Sequence, residues 1–171
     1  MNSLIIWIGK SQRRAATVLA AMLLAGCSTT ALISSYDEPT DKALTALQQS
    51  SDDFITGLIE RAPTDQNAYI KHLEFYQDAD QQLRRLEFRV SAIPSNGRTI
   101  KLVENIRTVL LGADNCNDTG ISLRDLHCNS EAATNGPSKA ALRISQRNIN
   151  QTIGAALALE LAKKQGLTPG N

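Results

Sequence analysis

Apolar residues recur every three or four positions in four segments of this chain, with polar residues between them. This period matches one face of an α-helix, so the pattern predicts four amphipathic helices. The clearest face lies in the second segment, between a cap at Thr64 or Asp65 and the turn at residues 94–97. Its apolar members are Tyr69, Leu73, Tyr76, Ala79, Leu83, Leu86, Val90 and Ile93.

The other three helices have recognisable start and stop residues. The first is predicted from about Pro39, a favoured early helical residue, to Arg61. The third is predicted to follow a Thr99 cap, and the fourth to follow Pro137 and to stop at Gly166. The stripe of the fourth helix is predicted as Leu142, Ile149, Ile153, Leu157 and Leu161.

No segment alternates with a period of two, and the connections between the first three helices are short. Short connections favour antiparallel neighbours. We therefore predict an all-α fold, an up-down-up-down four-helix bundle that occupies residues 39–171. The apolar stripes are interpreted as core rather than as a cofactor channel, and no cofactor is expected.

Residues 1–26 have the layout of a secretory signal peptide. Lys10, Arg13 and Arg14 precede an apolar run from Ala15 to Ala25. This run has 11 residues, whereas a helix needs roughly 20 to cross a bilayer. The segment is therefore predicted to be a cleaved leader and not a membrane span.

The leader closes with Leu24-Ala25-Gly26-Cys27, which resembles a bacterial lipobox. The resemblance implies that Cys27 is acylated and becomes the first residue of the mature protein, so residues 27–38 form a lipidated tether. Several acyl chains would hold the protein stably on a membrane. Ser28 resembles the sorting residue of lipoproteins sent to the outer membrane, which implies a periplasm-facing location. An alternative is a non-lipidated signal peptide in which Cys27 is incidental.

Charge argues against some partners. The leader holds three of the 18 basic residues and none of the 17 acidic ones, so the remaining chain carries a net charge of −2. No basic patch is evident, and aromatic residues make up only 4% of the chain. Nucleic acid is therefore an unexpected partner, and charge alone is not expected to hold the protein on an anionic membrane.

With Cys27 assigned to lipid, Cys116 and Cys128 remain as a pair in an oxidising compartment. Such a pair predicts a disulfide that closes the loop between the third and fourth helices. A zinc site with His127 lacks a fourth ligand. A calcium loop with Asp114, Asp118 and Asp125 lacks the usual ligand and glycine spacing. No metal is therefore expected.

Catalytic candidates are few. His72 is interpreted as a solvated residue. The pair Asp52 and Asp53 and the cluster Glu74, Asp78 and Asp80 are both interpreted as charged, solvated helix surfaces. The sequence contains no Gly-x-Ser-x-Gly, phosphate loop or His-Glu-x-x-His motif, so no enzymatic activity is expected. We expect Phe75, Phe88 and Leu111, which lie off the main stripes, to form an exposed patch.

Residues 33–48 and the ending Leu159 to Lys164 are similar to a group of small helical bacterial lipoproteins. This resemblance implies location and helical class and transfers no activity. The expected function is a structural or interaction module of the cell envelope, held by the lipid on Cys27 and contacting an envelope protein. A lipid or small-molecule carrier with a cavity between its helices is the alternative.

Overall fold

The computed structural model describes residues 33–112, 116, 122–129 and 133–166. These residues form five α-helices and two short 3-10 turns and include no strand, so the all-α prediction is confirmed for this part of the chain. The helices are α1 (Glu38–Arg61), α2 (Leu73–Ser91), α3 (Gly97–Leu110), α4 (Leu123–Cys128) and α5 (Lys139–Lys164). None of the described helices combines the length and the apolar character that crossing a membrane requires.

Side-chain caps determine where two of the long helices start. The Asp37 carboxylate accepts a hydrogen bond from the Thr40 amide at 3.0 Å, and Pro39 lies in the first turn of α1. Ser138 accepts a bond from the Ala141 amide at 3.3 Å at the start of α5. Both caps satisfy backbone amides that have no partner within the helix. The first and fourth predicted helices are therefore confirmed, with starts one and two residues from those expected.

The predicted starts of the second and third helices are wrong. Two 3-10 turns, Asp65–Asn67 and Tyr69–His72, precede α2. The side-chain Nδ2 of the buried Asn67 donates to the Leu58 carbonyl at 2.7 Å, which fixes this irregular stretch against the end of α1. Asn96, not Thr99, is the N-cap residue of α3, because the helix already begins at Gly97. Thr99 lies inside the helix and is fully buried.

The predicted stripe of α5 is also wrong in its last third. The buried face continues from Ile149 and Ile153 through Ala156 and Glu160, whereas Leu161 is 53% exposed. Leu157 and Leu161 continue the helical period from Ile153 as well as Ala156 and Glu160 do. The prediction chose the two leucines because they are more apolar. Packing against α3 and α1 instead buries the face that carries Ala156 and Glu160.

Each of the four long helices packs on two of the others. α1 contacts α2 and α5, and α3 contacts α2 and α5. The stripes meet in one apolar core, as expected when each helix has one hydrophobic face. The largest fully buried side chains are Leu44, Leu47, Ile55, Leu58, Leu83, Ile106, Leu110, Leu111, Leu123, Leu142, Ile149 and Ile153.

The short helix α4 was not predicted from the pattern. Ser122 caps it by accepting from the Asp125 amide at 3.0 Å. Leu123 and His127 point into the protein and are fully buried. The Cys116–Cys128 disulfide joins the last residue of α4 to the preceding loop, with 5.4 Å between the two Cα atoms. The predicted disulfide is therefore present, and it holds a helix that contributes to the core.

Candidate functional site

The predicted signal peptide and the lipidation residue Cys27 lie outside the described residues. The structure begins to describe the chain six residues later, at Ile33. Residues 33–37 are not helical and lead directly into α1.

This segment, residues 33–37, is bound to one end of the helical domain. The Ser34 amide donates to the Ser95 carbonyl at 3.0 Å, and the Ser34 hydroxyl donates to Asn96 Oδ1 at 2.7 Å. Arg89 donates two bonds to the Asp37 carboxylate, at 2.6 and 2.7 Å. This guanidinium holds the pKa of Asp37 well below its usual range. The chain is thus fixed to the domain before α1 begins.

A buried polar cluster lies next to this attachment. Lys163 Nζ lies 2.6 Å from Glu160 Oε1 and also donates to Thr99 and Asn96, at 2.7 and 2.9 Å. The side chains of Lys163 and Glu160 are only 2% and 1% exposed. We call Ser34, Asn96, Thr99, Glu160 and Lys163 the end cluster. It joins the start of α1, the turn between α2 and α3, and the end of α5.

Sequence reasoning missed the end cluster. The pattern showed Lys163 only as a cation near a helix C-terminus, where the helix dipole favours positive charge. The available signal was the position of Glu160, which continues the face of Ile149, Ile153 and Ala156 at spacings of three and four. A charged residue on a buried face requires a partner, and Lys163 three residues later supplies it.

The cysteine site has the chemistry of a disulfide. Both sulfur atoms are bonded to each other, so neither is a thiolate available to zinc. Asp114 and Asp118 of the calcium alternative lie outside the described residues. Asp125 Oδ2 accepts from the Ser122 hydroxyl at 2.7 Å, and its buried Oδ1 has no hydrogen-bond partner in the part of the chain that the structure describes. Among the described residues, no group of three or more His, Cys, Asp or Glu side chains is placed to bind a metal.

His127 is a buried histidine with both ring nitrogens occupied. Nε2 lies 2.6 Å from the Asn67 carbonyl oxygen, and Nδ1 lies 2.8 Å from the Tyr76 hydroxyl. The carbonyl only accepts, so Nε2 carries the hydrogen and Nδ1 accepts from Tyr76. Burial lowers the pKa of His127 to about 4 and raises that of Tyr76 well above 10. The neutral imidazole therefore crosslinks α4, α2 and the turn at Asn67.

The interpretation of His72 as a solvated residue is wrong. The ring is half-buried, and Nε2 lies 2.9 Å from the Gln66 carbonyl oxygen. The ring also makes an edge contact with Phe54, which in turn stacks on Phe75 at 3.7 Å between centroids. Burial lowers the pKa of His72. These rings, with Tyr76 and His127, form one aromatic cluster between α1, α2 and α4.

The acidic candidates do not meet in one place. Asp80 binds Arg107 at 2.6 Å and Arg84 at 2.6 Å, and thereby ties α2 to α3. Asp52 accepts bonds from Asn150 and Gln146, at 2.7 and 2.9 Å, and thereby ties α1 to α5. The remaining members Asp53, Glu74 and Asp78 are exposed. The arrangement supports contacts between helices rather than a shared cation or proton.

The predicted apolar patch is wrong for two of its three residues. Leu111 is 1% exposed and belongs to the core, and Phe75 is partly buried in its stack with Phe54. Phe88 is 81% exposed, as expected. The other large apolar residues that are exposed among the described ones are Ile70, Ile144 and Leu161. Ile70 lies in the second 3-10 turn, and Ile144 and Leu161 lie on α5, so apart from Phe88 the exposed apolar residues are not those predicted.

An apolar groove of about 480 Å³ lies between α3 and α5. Its walls are Leu102, Leu159 and three alanines, with Arg98 and Lys101 at the edge; the alanines are Ala155, Ala158 and Ala162. A smaller groove of about 240 Å³ lies between α1 and α2. The larger groove has the apolar walls and the two cations that an acyl chain with an acidic headgroup requires.

Comparison with known proteins gives no relative from which a role can be transferred. The chain matches no protein-family model, no curated protein and no solved structure.

Proposed function

We propose that this protein is a lipid-anchored lipoprotein of the bacterial outer membrane that faces the periplasm, and that its helical domain binds an envelope partner. The observation that carries the proposal is Leu24-Ala25-Gly26-Cys27 at the end of a basic and apolar leader. Acylation of Cys27 would supply the membrane attachment that the net charge of the remaining chain does not favour.

The binding of residues 33–37 to the domain supports this role. An anchor on Cys27 would be followed by only six residue steps before Ile33, and the chain is attached at Ser34. The ion pair between Asp37 and Arg89 adds a second attachment between the start of α1 and α2. If the N-terminus is held on a membrane, these contacts would restrict how far and in which direction the helical domain can move relative to the membrane.

We further propose that α1, α2, α3 and α5 run up-down-up-down, as a four-helix bundle with α4 packed at one end. Contacts at both ends support this arrangement. The end cluster gathers the start of α1, the start of α3 and the end of α5. At the other end, Asn67 bonds the last turn of α1 through Leu58, and Tyr69 bonds Ala133 shortly before α5.

An interaction role fits the surface better than catalysis does. Asp52, Asp80 and His127, which were considered for chemistry, each hold a contact between helices. By contrast, the apolar side chains of Phe88 and Ile144 are 81% and 60% exposed to solvent. Exposed aromatic and aliphatic side chains are the usual anchors of protein interfaces.

The lipid anchor is tested by metabolic labelling with a palmitate analogue. We expect the protein to carry the label and to fractionate with membranes, and we expect Cys27→Ala to lose both properties. The matched control is the double variant Cys116→Ala and Cys128→Ala, which removes the other two cysteines and should keep the label. Label that persists in Cys27→Ala would refute the proposal.

The interaction role is tested with photo-crosslinking residues placed at Phe88 or Ile144 in living cells. We expect one of these positions to give a reproducible adduct with a single envelope protein. Thr45, an exposed polar residue of α1, is the control position. Equal adduct patterns from all three positions would contradict a specific interface.

A second candidate function is the binding of a single acyl chain, and the groove between α3 and α5 favours it. The test is titration with a fluorescent fatty acid. Ala158→Phe would fill this groove and should abolish binding, whereas Ala46→Phe would fill the smaller groove and should leave binding unchanged. Equal affinities of the two variants would exclude the groove as the binding site.

A further inference from the structure

Charges are segregated between the two halves of the helical domain. We define the tether half as residues 33–49, 83–103 and 152–166, the parts of the long helices nearest the end cluster. It holds eight basic and five acidic residues, a net charge of +3. The rest of the described chain holds seven basic and nine acidic residues, a net charge of −2. The small overall charge of the mature chain therefore hides a positive half.

The acidic residues of the tether half are all engaged. Asp37 binds Arg89, and Glu38 binds Lys42 at 2.7 Å. The remaining three bind as follows: Asp41 accepts from Tyr36 at 2.8 Å, Glu87 pairs with Arg107, and Glu160 pairs with Lys163. Four of these carboxylates are thus paired with cations, whereas Asp41 accepts from a neutral hydroxyl and keeps its charge. The excess of positive charge therefore comes from cations outside these pairs.

Several cations of the tether half are free to meet an external anion. Arg85, Arg98 and Lys101 are exposed and form no ion pair with the described part of the chain. Arg98 and Lys101 also border the apolar groove between α3 and α5. Phe88 and Leu161, 81% and 53% exposed, add apolar surface to the same half. Cationic and apolar side chains together are what an anionic lipid surface binds.

The chain enters the domain in this same half. Ser34 is bound to Ser95 and Asn96, and six residue steps separate Cys27 from Ile33. A chain of that length reaches at most about 20 Å when fully extended. An acylated Cys27 would therefore keep the tether half within reach of the lipid headgroups.

We infer that the tether half of the domain is its membrane-facing surface and binds anionic phospholipid headgroups through Arg98 and Lys101. The inference rests on the proposed lipid anchor at Cys27. The binding partner of this surface is the lipid bilayer. Three observations favour it: the positive charge of the tether half, its exposed apolar side chains, and the short chain between Cys27 and Ile33. The acidic half would then point away from the membrane.

Energy transfer from tryptophan to a dansyl-labelled lipid tests the orientation. The single tryptophan, Trp7, lies in the leader, so the mature chain has none. Phe88→Trp and Ile70→Trp place the donor near opposite ends of α2, both at exposed apolar sites. The 19 residues of α2 span about 28 Å, so transfer from position 88 should exceed transfer from position 70 by at least about twofold.

The full lipidated protein is measured on vesicles of phosphatidylcholine with and without phosphatidylglycerol. We expect the twofold ratio on the anionic vesicles, and its loss when Arg98→Glu and Lys101→Glu are combined. Lys139→Glu with Arg143→Glu, a matched charge reversal in the other half, should keep it. Equal transfer from both positions, or stronger transfer from position 70, overturns the inference. The tether half would then be a surface for a protein partner instead of lipid.

Intact mass separates this inference from the proposed function. Absence of the acyl groups from the native protein would refute the anchor. The same two tryptophan variants, added without lipid modification to the anionic vesicles, would still report which half contacts lipid. Absence of transfer from position 88 in both forms overturns the inference even when the anchor is present.

Discussion

Glu160 and Lys163 lie one turn apart on α5, both buried, with 2.6 Å between Oε1 and Nζ. Lys163 also donates to Thr99 and Asn96, while Glu160 Oε2 has no hydrogen-bond partner among the described residues. Removing one partner of a buried ion pair leaves an uncompensated charge, which costs more than the pair itself contributes. The end of the domain next to the N-terminal segment is therefore sensitive to single substitutions.

We predict that Lys163→Met lowers the free energy of unfolding by about 3–5 kcal/mol, because the buried Glu160 carboxylate loses the cation with which it is paired. Urea denaturation followed by circular dichroism measures this. Lys164→Met is the control, since Lys164 is exposed and its described contact is the face of the Tyr36 ring. Similar losses in the two variants would show that the buried pair does not have this role.

A second prediction concerns pH and His127. Its folded pKa, about 4, lies below the unfolded value of about 6.5, so the unfolded chain binds the proton first. Its contribution is therefore present in full above pH 6.5 and is lost as pH falls to about 4, at up to about 1.4 kcal/mol per pH unit. Unfolding free energies of the wild type and His127→Gln, measured across this range, should converge at the acidic end.

His72→Gln provides the comparison for that experiment. His72 is half-buried and its pKa is lowered in the same direction, so its removal should change the profile less. Parallel pH profiles for the wild type and His127→Gln would contradict the assignment of the acid sensitivity to His127.

A third prediction concerns the disulfide. The bond joins residues separated by 12 positions, and the chain-entropy model gives about 3 kcal/mol for a loop of this length. Reduction with dithiothreitol should lower the unfolding free energy by about that amount. The change should reach the core, because the disulfide holds α4, which carries the buried Leu123 and His127. The double variant Cys116→Ser and Cys128→Ser should respond no further to the reductant. Unchanged stability on complete reduction would count against a stabilising role.

The fourth prediction concerns Gly112, which follows α3 with φ of +63°. A Cβ there would overlap Asp125 Oδ2 and lie 2.7 Å from Ser122 Oγ, so Gly112→Ala should lower the melting temperature. Gly154→Ala, in the middle of α5, is the control, because its added Cβ meets no described atom within 4 Å apart from its own chain neighbours and the adjacent helix backbone. We expect that control to stabilise by up to about 1 kcal/mol. Equal melting temperatures would refute the proposed clash.

Much of the fold was predictable because it depends on local pattern. The spacing of Tyr76, Leu83 and Val90 identified the buried face of α2, and all three residues are buried. The pairing of Cys116 with Cys128 followed from the number of cysteines and from the oxidising compartment predicted for the chain. The caps were less predictable, because Asp37, Ser138 and Thr99 are all residue types that cap helices, and only packing decides which of them do so.

Parts of the candidate site could not be predicted because they depend on distant residues. Phe75 and Leu111 were interpreted as exposed, yet α1 supplies a stacking partner for Phe75 and the core encloses Leu111. The burial of Lys163 depends on Glu160 along the same helix and on Asn96, which is 67 positions away. No window of sequence contains these neighbours.

By itself the sequence determined the helical class, the four long amphipathic segments and the composition of the leader, because helical period and residue chemistry are local properties. The tertiary structure alone decided that Ser34 is held by Asn96, that His127 is neutral between Tyr76 and Asn67, and that positive charge gathers near the N-terminal segment. These relationships exist only after helices from distant parts of the chain have packed together, because packing sets both the neighbours of a side chain and its exposure to water.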